Sequence, residues 1–399
     1  MTDPKPQALA QIDACAQASL ALLLRNLTPS GILAASRTEA AEARRYTRIF
    51  GRDAAICILA MCGSGDKLLE QGSVASLDAL AARQAANGQI PKYVDPDSKD
   101  ADFWYLGCID ATLWWLIAVD HVRRHGLVGP AHWQHEVERA INWLLAQEHP
   151  YFRLLQQNEA SDWADIMPRS GYVLYSNTLW YDVKRRYALA DAAVTRHHFD
   201  HLFHPFQHDL PEYQRARLLQ HYARRGQRDS GLYLSFVNFS FAGNEGDVFG
   251  NVLAILSGLA SESMGHRIVK SIVAARASDP YPIRVVLHPL SRQHKLWRPY
   301  MARHQQNLMH QYHNGGIWPF VGGFWVMALA RLGLRELAWQ ELAKLADVNA
   351  LDDWRFTEWL HGQSLQPMGM AGQSWNAATF LLARRTLMSE ASVWQDRRS

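Results

Sequence analysis

Over most of its length the chain alternates between runs in which apolar residues recur every three or four positions and shorter segments that are polar and aromatic. That spacing lines apolar side chains along one face of a helix. In the first part of the chain it predicts helices over Gln7–Asn26, Ala54–Met61, Asp66–Ala86, Tyr105–His125 and Pro130–Gln147. Further on it predicts helices over Val173 to about His197, Leu210–Arg225, Val248–Leu259, Gly265–Ala277, Gly323–Leu332, Arg335–Ala346 and Ser374–Leu387. About twelve helices with no series of alternating strands make an all-α expectation.

The breakers between these runs are unevenly spaced. Pro29-Ser30-Gly31 and Asn87-Gly88-Gln89-Ile90-Pro91 are turns, whereas 44–53, 87–104, 160–172, 280–318 and 350–373 are long connections rich in charge and aromatic residues. Helices joined alternately by short turns and long connections suggest helical hairpins rather than an up-down bundle. If the long connections gather at one end, the hairpins form a toroid around one cleft. No linker rich in Gly, Ser or Pro divides the chain, so 1–399 is expected to be a single domain with flexible ends at 1–6 and 390–399.

Composition narrows the function classes. At 48% hydrophobic and 20% charged, the 399 residues have an ordinary globular balance, and no window is expected to act as a membrane span. The polar start, Met1–Gln11, lacks the basic and apolar regions of a secretory signal. The four cysteines, Cys15, Cys57, Cys62 and Cys108, have no CxxC spacing and lie in apolar runs, which suits reduced thiols and a cytoplasmic location. Net charge is +3 and the basic residues are dispersed, so no nucleic-acid footprint is expected. Fifteen Trp, several beside polar residues, point instead to an aromatic-lined small-molecule site.

The candidate chemistry centres on Ala160-Ser161-Asp162-Trp163-Ala164-Asp165-Ile166-Met167-Pro168-Arg169-Ser170-Gly171-Tyr172. Two carboxylates flanking a tryptophan are what sugar chemistry uses: an acid for a glycosidic oxygen and a flat ring for a pyranose face. The same residues also read as a helix cap. Asp53, beside Arg52, reads either as an N-cap or as a ligand contact, and Asp110 is a lone carboxylate on an apolar helix face that must be paired or functional. Gln311-Tyr312-His313-Asn314-Gly315-Gly316-Ile317-Trp318-Pro319 is hard to explain as packing, and Trp354-Arg355-Phe356-Thr357-Glu358-Trp359-Leu360 again sets a carboxylate among aromatics. Gln373-Ser374-Trp375-Asn376 opens the last helix. His197 and His201 stand four apart, but without an HExxH glutamate the stretch is read as a loop, and no metal is assigned. No dinucleotide or P-loop fingerprint is present, so no cofactor is expected.

These residues resemble a known family. Tyr312-His313-Asn314-Gly315-Gly316-Ile317-Trp318-Pro319, Gly250-Asn251-Val252-Leu253-Ala254-Ile255-Leu256-Ser257-Gly258-Leu259-Ala260, and Glu358 followed by Gln373-Ser374-Trp375 look like the alkaline/neutral invertases of glycoside hydrolase family 100. Arg52-Asp53 and Ile109-Asp110-Ala111-Thr112-Leu113-Trp114-Trp115 resemble that family's early motifs, so the likeness runs from about residue 44 to 388. The Asp-Trp-Ala-Asp segment also looks like bacterial relatives of the amylo-α-1,6-glucosidase and mannosylglycerate-hydrolase kind.

The resemblance implies the (α/α)6 toroid of the six-hairpin glycosidases and an inverting hydrolase, with Asp165 as general acid and Glu358 as general base. Asp162 falls where invertases carry no carboxylate and is read as a cap or a substrate contact. Trp163 is expected to desolvate Asp165 and raise its pKa. Arg52, Asp53, Asp110, His313, Asn314 and Gln373 are candidate sugar contacts, Arg52 or Arg169 could orient a carboxylate, and Trp114, Trp318 and Trp375 are candidate stacking platforms, at least one of which is expected to be core packing. The implied partner is a small sugar, sucrose first, with glucosylglycerate, mannosylglycerate, trehalose or α-1,6-linked oligosaccharide as alternatives. A sugar 2-epimerase using His313 with His361, or a non-catalytic sugar-binding protein, are readings from other classes. Self-association is left open.

Overall fold

The computed structural model describes residues 6–98, 100–104, 107–206, 215–389 and 393–394. Among these residues the helices are α1 (Pro6–Asn26), α2 (Glu39–Ala43), α3 (Gly51–Met61), α4 (Lys67–Ala81), α5 (Ile109–Arg124), α6 (Gln134–Leu145), α7 (Leu174–Arg186), α8 (Ala192–Phe203), α9 (Ala216–Arg224), α10 (Val248–Leu256), α11 (Glu262–Ala274), α12 (Pro319–Arg331), α13 (Arg335–Trp354) and α14 (Ser374–Ser389). The protein is mostly helical, as its apolar periodicity predicts.

Two kinds of helix alternate along the chain, and the difference is written in their sequences. Every residue of α3 and α10 is buried, as is α12 from Pro319 to Leu329. A helix apolar all round can only be an interior helix. The helices that follow are one-sided: α6 buries Val137, Ala140 and Leu144, and α11 buries Met264, Gly265, Ile268, Val269 and Ile272. The packing follows from this. Helix α3 packs on α5, α5 on α7, α7 on α10, α10 on α12, α12 on α14, and α14 back on α3, closing a ring of six. Around it, α4 covers α3, α6 covers α5, α8 covers α7, α11 covers α10, and α13 and α1 cover α12 and α14. One apolar cluster runs through the whole arrangement from Ile12 to Trp394.

Each ring helix is entered from a long connection, and short antiparallel ladders knit these connections together. Ile49–Phe50 pairs with Tyr93–Val94, which pairs with Ala101–Asp102; Gln156–Gln157 pairs with Gly171–Val173, which pairs with Phe236–Val237. Single bridges link Asp247 to Val286, Arg284 to Ile317, Ile317 to Leu360, and Ala35 to Gln373. The N-terminal ends of the ring helices therefore share one rim. There the unpaired amides and the helix dipoles favour negative charge.

Several sequence expectations need correction. The run from Val173 towards His197 is two helices, because Ala188 takes a left-handed conformation (φ +49°) and the Leu189 amide closes on the Lys184 carbonyl, a Schellman stop that needs no glycine. The short ladders were not foreseen, since two or three residues are too few for a period to show. Asp53 is not a cap: Phe50 holds the N-cap position and Asp53 lies in the first turn. Helix α1, expected to have no membrane-like window, reaches a mean hydropathy of 1.2 and is long and apolar enough by composition to cross a bilayer; it packs on α13 and α14. The four cysteines are free and buried. Of the ends expected to be flexible, Pro6 is already helical; 1–5, 390–392 and 395–399 lie outside the described residues, as do 210–214 of the predicted Leu210–Arg225 helix and 207–208 at the end of the histidine stretch.

Ring closure depends on close approach between α12 and α14. A Cβ at Gly323 would stand 2.6 Å from Thr379 Cβ and 2.7 Å from the Thr379 carbonyl oxygen. Because the obstacle includes backbone, Gly323→Ala is expected to force the helices apart and cost about 1–3 kcal/mol. Chemical denaturation of the variant against the wild type measures this, and an unchanged midpoint would contradict so tight a crossing.

Candidate active site

The predicted site residues sit on the rim where the ring helices begin. Arg52 and Asp53 are in the first turn of α3, Asp110 is in that of α5, Trp318 precedes α12, and Gln373 precedes α14. Asp162–Arg169 lies in the connection before α7. No helix starts at Asp162, so the helix-cap reading is set aside. Its carboxylate instead closes a turn, accepting from the Ala164 amide (2.8 Å) and from Gln157 Nε2 (3.0 Å). Burial lifts the Asp162 carboxyl to about 6 against the pull of Arg169.

Asp165 does not have the environment expected of it. Its side chain keeps 23% of its surface open although protein packs around it. Lys92 Nζ lies 3.2 Å from one carboxylate oxygen, and His313 Nδ1 lies 3.9 Å from the other. Burial is the largest single effect and pushes the carboxyl up, but Lys92, His313 and Arg52 together outweigh it, Lys92 foremost, and the pKa falls below the ordinary aspartate value. The raised pKa expected from burial beside Trp163 is therefore not found, because the unforeseen positive charge around Asp165 reverses the sign. Lys92 comes from the Pro91-Lys92-Tyr93 turn and lies 3.6 Å from the Trp104 ring centroid. The length of the 87–104 connection was its only signal in the sequence.

Glu358 is the reverse case. It is 3% exposed, and burial raises its carboxyl to about 7 even though it accepts hydrogen bonds from Tyr46 Oη (2.8 Å) and the Met370 amide (2.9 Å). Gly369 (φ +73°) makes room for it: a Cβ there would collide with Glu358 Oε2. Glu358, Tyr46, Tyr312, Trp359 and Met370 line a cavity of about 670 Å³. The two carboxylates share neighbours. The Tyr312 hydroxyl, raised first by burial, is raised further by the negative charge of both Asp165 and Glu358, and so is that of Tyr46. Neither tyrosine was among the predicted site residues, although Tyr312 stood inside a quoted motif.

An aromatic wall runs between them. Trp163 stands edge-on to His313 (4.8 Å) and Trp318 (5.6 Å), His313 stacks on Trp318 (5.1 Å), and Trp318 meets Trp375 (5.9 Å). Burial drops the His313 imidazole to about 3, so it is neutral. Trp163 Nε1, His313 Nδ1, Trp375 Nε1 and both ends of the Gln373 amide are buried with no hydrogen-bond partner in the protein. Such groups cost ~1–3 kcal/mol each when unmatched, and their collection on one rim is the pattern of a polyhydroxyl-binding pocket.

Other candidates are occupied by the fold itself. Trp114 is fully buried, packs on Phe324 and donates to Tyr175 Oη, so it is core rather than a platform. Trp318 has one face covered by His313, and Trp375 stacks on Phe320 at 4.0 Å. Arg169 is held by Glu245 (3.1 Å) and Asp247 (3.2 Å) and cannot serve a substrate carboxylate. The Asn314 amide is spent on the Leu290 amide and carbonyl and on the Asn307 carbonyl. Asp110 receives Arg52 (3.0 Å), Tyr175 Oη (3.0 Å) and Cys108 Sγ (3.0 Å), which satisfies its burial; Arg52 also reaches Asp53 (3.4 Å). His361 turns to His310 and accepts from the Gln363 and Ser364 amides, so the histidine pair of the epimerase reading does not form.

Residues 244–390 match the family described as alkaline and neutral invertase. Neutral/alkaline invertase 1, mitochondrial, of Oryza sativa subsp. japonica is 26% identical over 143 residues, 35% of this chain and 22% of that protein. Alkaline/neutral invertase C, mitochondrial, of Arabidopsis thaliana is 23% identical over 142 residues, 35% of this chain and 21% of that protein. The match thus spans about a fifth of the length of these curated relatives. Among solved structures, the GH63 mannosylglycerate hydrolase of Thermus thermophilus in complex with glucose aligns with a TM-score of 0.63 at 12% identity, covering 92% of this chain and 99% of that one. A wild-type glycosidase aligns with a TM-score of 0.63 at 15% identity, covering 96% and 99%. The matched residues include Glu358, the 311–318 cluster and Gln373, and the likeness in fold extends over nearly the whole chain.

Removing the cation isolates the cause of the Asp165 shift. In Lys92→Met, burial is left unopposed by its main counterweight, and the Asp165 pKa is expected to rise; carboxyl-carbon NMR titration of the folded variant reads it. An Asp165 that titrates as in the wild type would mean that Lys92 is not what holds it down.

Proposed function

We propose that this protein is an inverting glycoside hydrolase acting on an α-glucoside, with sucrose the first candidate and Asp165 and Glu358 the reacting pair. The observation that carries the reading is the pair itself. Two carboxyls almost two hundred residues apart in sequence (165 and 358) face common tyrosines beside a wall of unmatched donors, one charged and one near neutrality. Inversion needs one carboxylic acid and one carboxylate across a water. We read the ring as the (α/α)6 toroid of the six-hairpin glycosidases and the chain as one catalytic domain. The invertase match supports sucrose; the mannosylglycerate hydrolase likeness keeps glucosylglycerate or mannosylglycerate as the next substrates.

The family resemblance makes Asp165 the acid and Glu358 the base. The charges of the free protein favour a second reading in which the roles are exchanged, because of the two it is Glu358 that still binds a proton near neutrality. For Asp165 to be the acid, Lys92 has to leave it for a sugar hydroxyl as substrate binds, letting the proton cross. Either way the pair must hold one proton in all. Raising pH through about 7 removes it, so kcat/KM is expected to fall above about pH 7.

The roles separate on leaving-group chemistry. With sucrose, Asp165→Asn and Glu358→Gln are each expected to lose activity by orders of magnitude, and Asp162→Asn by less. With α-glucosyl fluoride, which needs little help from an acid, Asp165→Asn is expected to recover much of its rate and Glu358→Gln is not. The opposite pattern exchanges the roles. The wild type should release β-glucose first from sucrose by NMR and make no mannose from glucose; no turnover of sucrose, glucosylglycerate, mannosylglycerate or trehalose would sink the hydrolase proposal.

A further inference from the structure

A second constellation lies away from the carboxylate rim. Cys62 is the C-cap of α3, and His121 and His125 close the last turn of the adjacent α5, so all three stand where ring helices end. Their candidate ligand atoms lie within 4.8 Å of one another. The imidazoles are presented alike. His125 Nδ1 is engaged by the His121 carbonyl (2.9 Å), and His121 is held by the Leu59 carbonyl while its Nε2 is buried with no hydrogen-bond partner in the protein. A backbone carbonyl on one ring nitrogen, fixing the tautomer and freeing the other, is the arrangement of metal-ligating histidines. Gly63 (φ +70°) lets the second ring approach: a Cβ there would stand 3.0 Å from His125 Nε2.

We propose that Cys62 Sγ, His121 Nε2 and His125 Nε2 bind one Zn²⁺, with water as the fourth ligand. One thiolate and two imidazoles are a borderline-soft set suited to tetrahedral zinc. Ligand distances of ~2.0–2.3 Å require these atoms to close in by roughly 1 Å, a movement open to exposed His125. Two helix C-termini contribute negative partial charge at the site. Glu70 adds negative charge near Cys62, and Arg385 opposes it; that guanidinium donates to the Leu59, Cys62 and Gly63 carbonyls. Gly63, Ser64 and Arg385 also line a surface groove of about 660 Å³ that gives the ion a way in. On binding, the Cys62 thiol proton leaves to solvent as the S–Zn bond forms, so affinity rises with pH.

Titrating the full-length, reduced protein with Co²⁺, a spectroscopic stand-in for zinc, tests this. One equivalent is expected to bring up a sulfur-to-cobalt charge-transfer band in the near ultraviolet that Zn²⁺ abolishes, and Zn²⁺ is expected to raise the thermal midpoint. His125→Ala, at an exposed position where folding can be checked by circular dichroism, is expected to weaken binding at least tenfold, and Cys62→Ser to remove the band; His197→Ala should leave both unchanged. A folded wild type without the band, or a band that persists unchanged in His125→Ala, would overturn the proposal.

Discussion

Helices buried over almost their whole length have one way to leave water, which is to bury one another, and the architecture follows from that constraint. A closed ring gives each of α3, α5, α7, α10, α12 and α14 two ring neighbours, and the one-sided helices cover what remains. At the helix ends where the amides are unpaired, carboxylates are welcome, and that is where Asp53, Asp110, Asp165 and Glu358 collect.

Those carboxylates are not equivalent, and the difference lies in their partners rather than their depth. Asp110 is surrounded by donors, Asp162 closes a turn, Asp165 has a lysine, and Glu358 has a hydroxyl and an amide. Lys92 and its neighbours together outweigh burial at Asp165; two neutral donors do not at Glu358. Two acids of similar intrinsic strength are thereby separated far enough to hold opposite charge states near neutrality, which is the usual basis for dividing acid and base work.

How much of this could be read from the residues varied with the kind of information involved. The helices were legible because burial leaves apolar residues at helical spacing, in α10 and α12 as nearly unbroken runs, and the connections were legible because charge and tryptophan crowd into them. What an individual side chain does there was not. Trp114, Arg169 and Asn314 carry residue types suited to a sugar site, yet their partners, Tyr175, Glu245 with Asp247, and Leu290, come from distant segments that no local pattern names. Lys92 and Tyr46 failed in the opposite direction: they stood in connections that were singled out, but nothing local marked them among their neighbours until the fold carried them to Asp165 and Glu358. The two-residue ladders are too short to leave any period.

Their shortness has a consequence for variation. A pair of strands this brief has no stability of its own, so the rim takes its order from the helices beneath it. Connections can be lengthened, shortened or rewritten at small entropic cost while the hydrophobic ring stays intact. Such a scaffold separates what keeps the molecule folded from what decides its ligand, and lineages that share the ring are free to diverge in the sugar they accept without first having to solve the folding problem again.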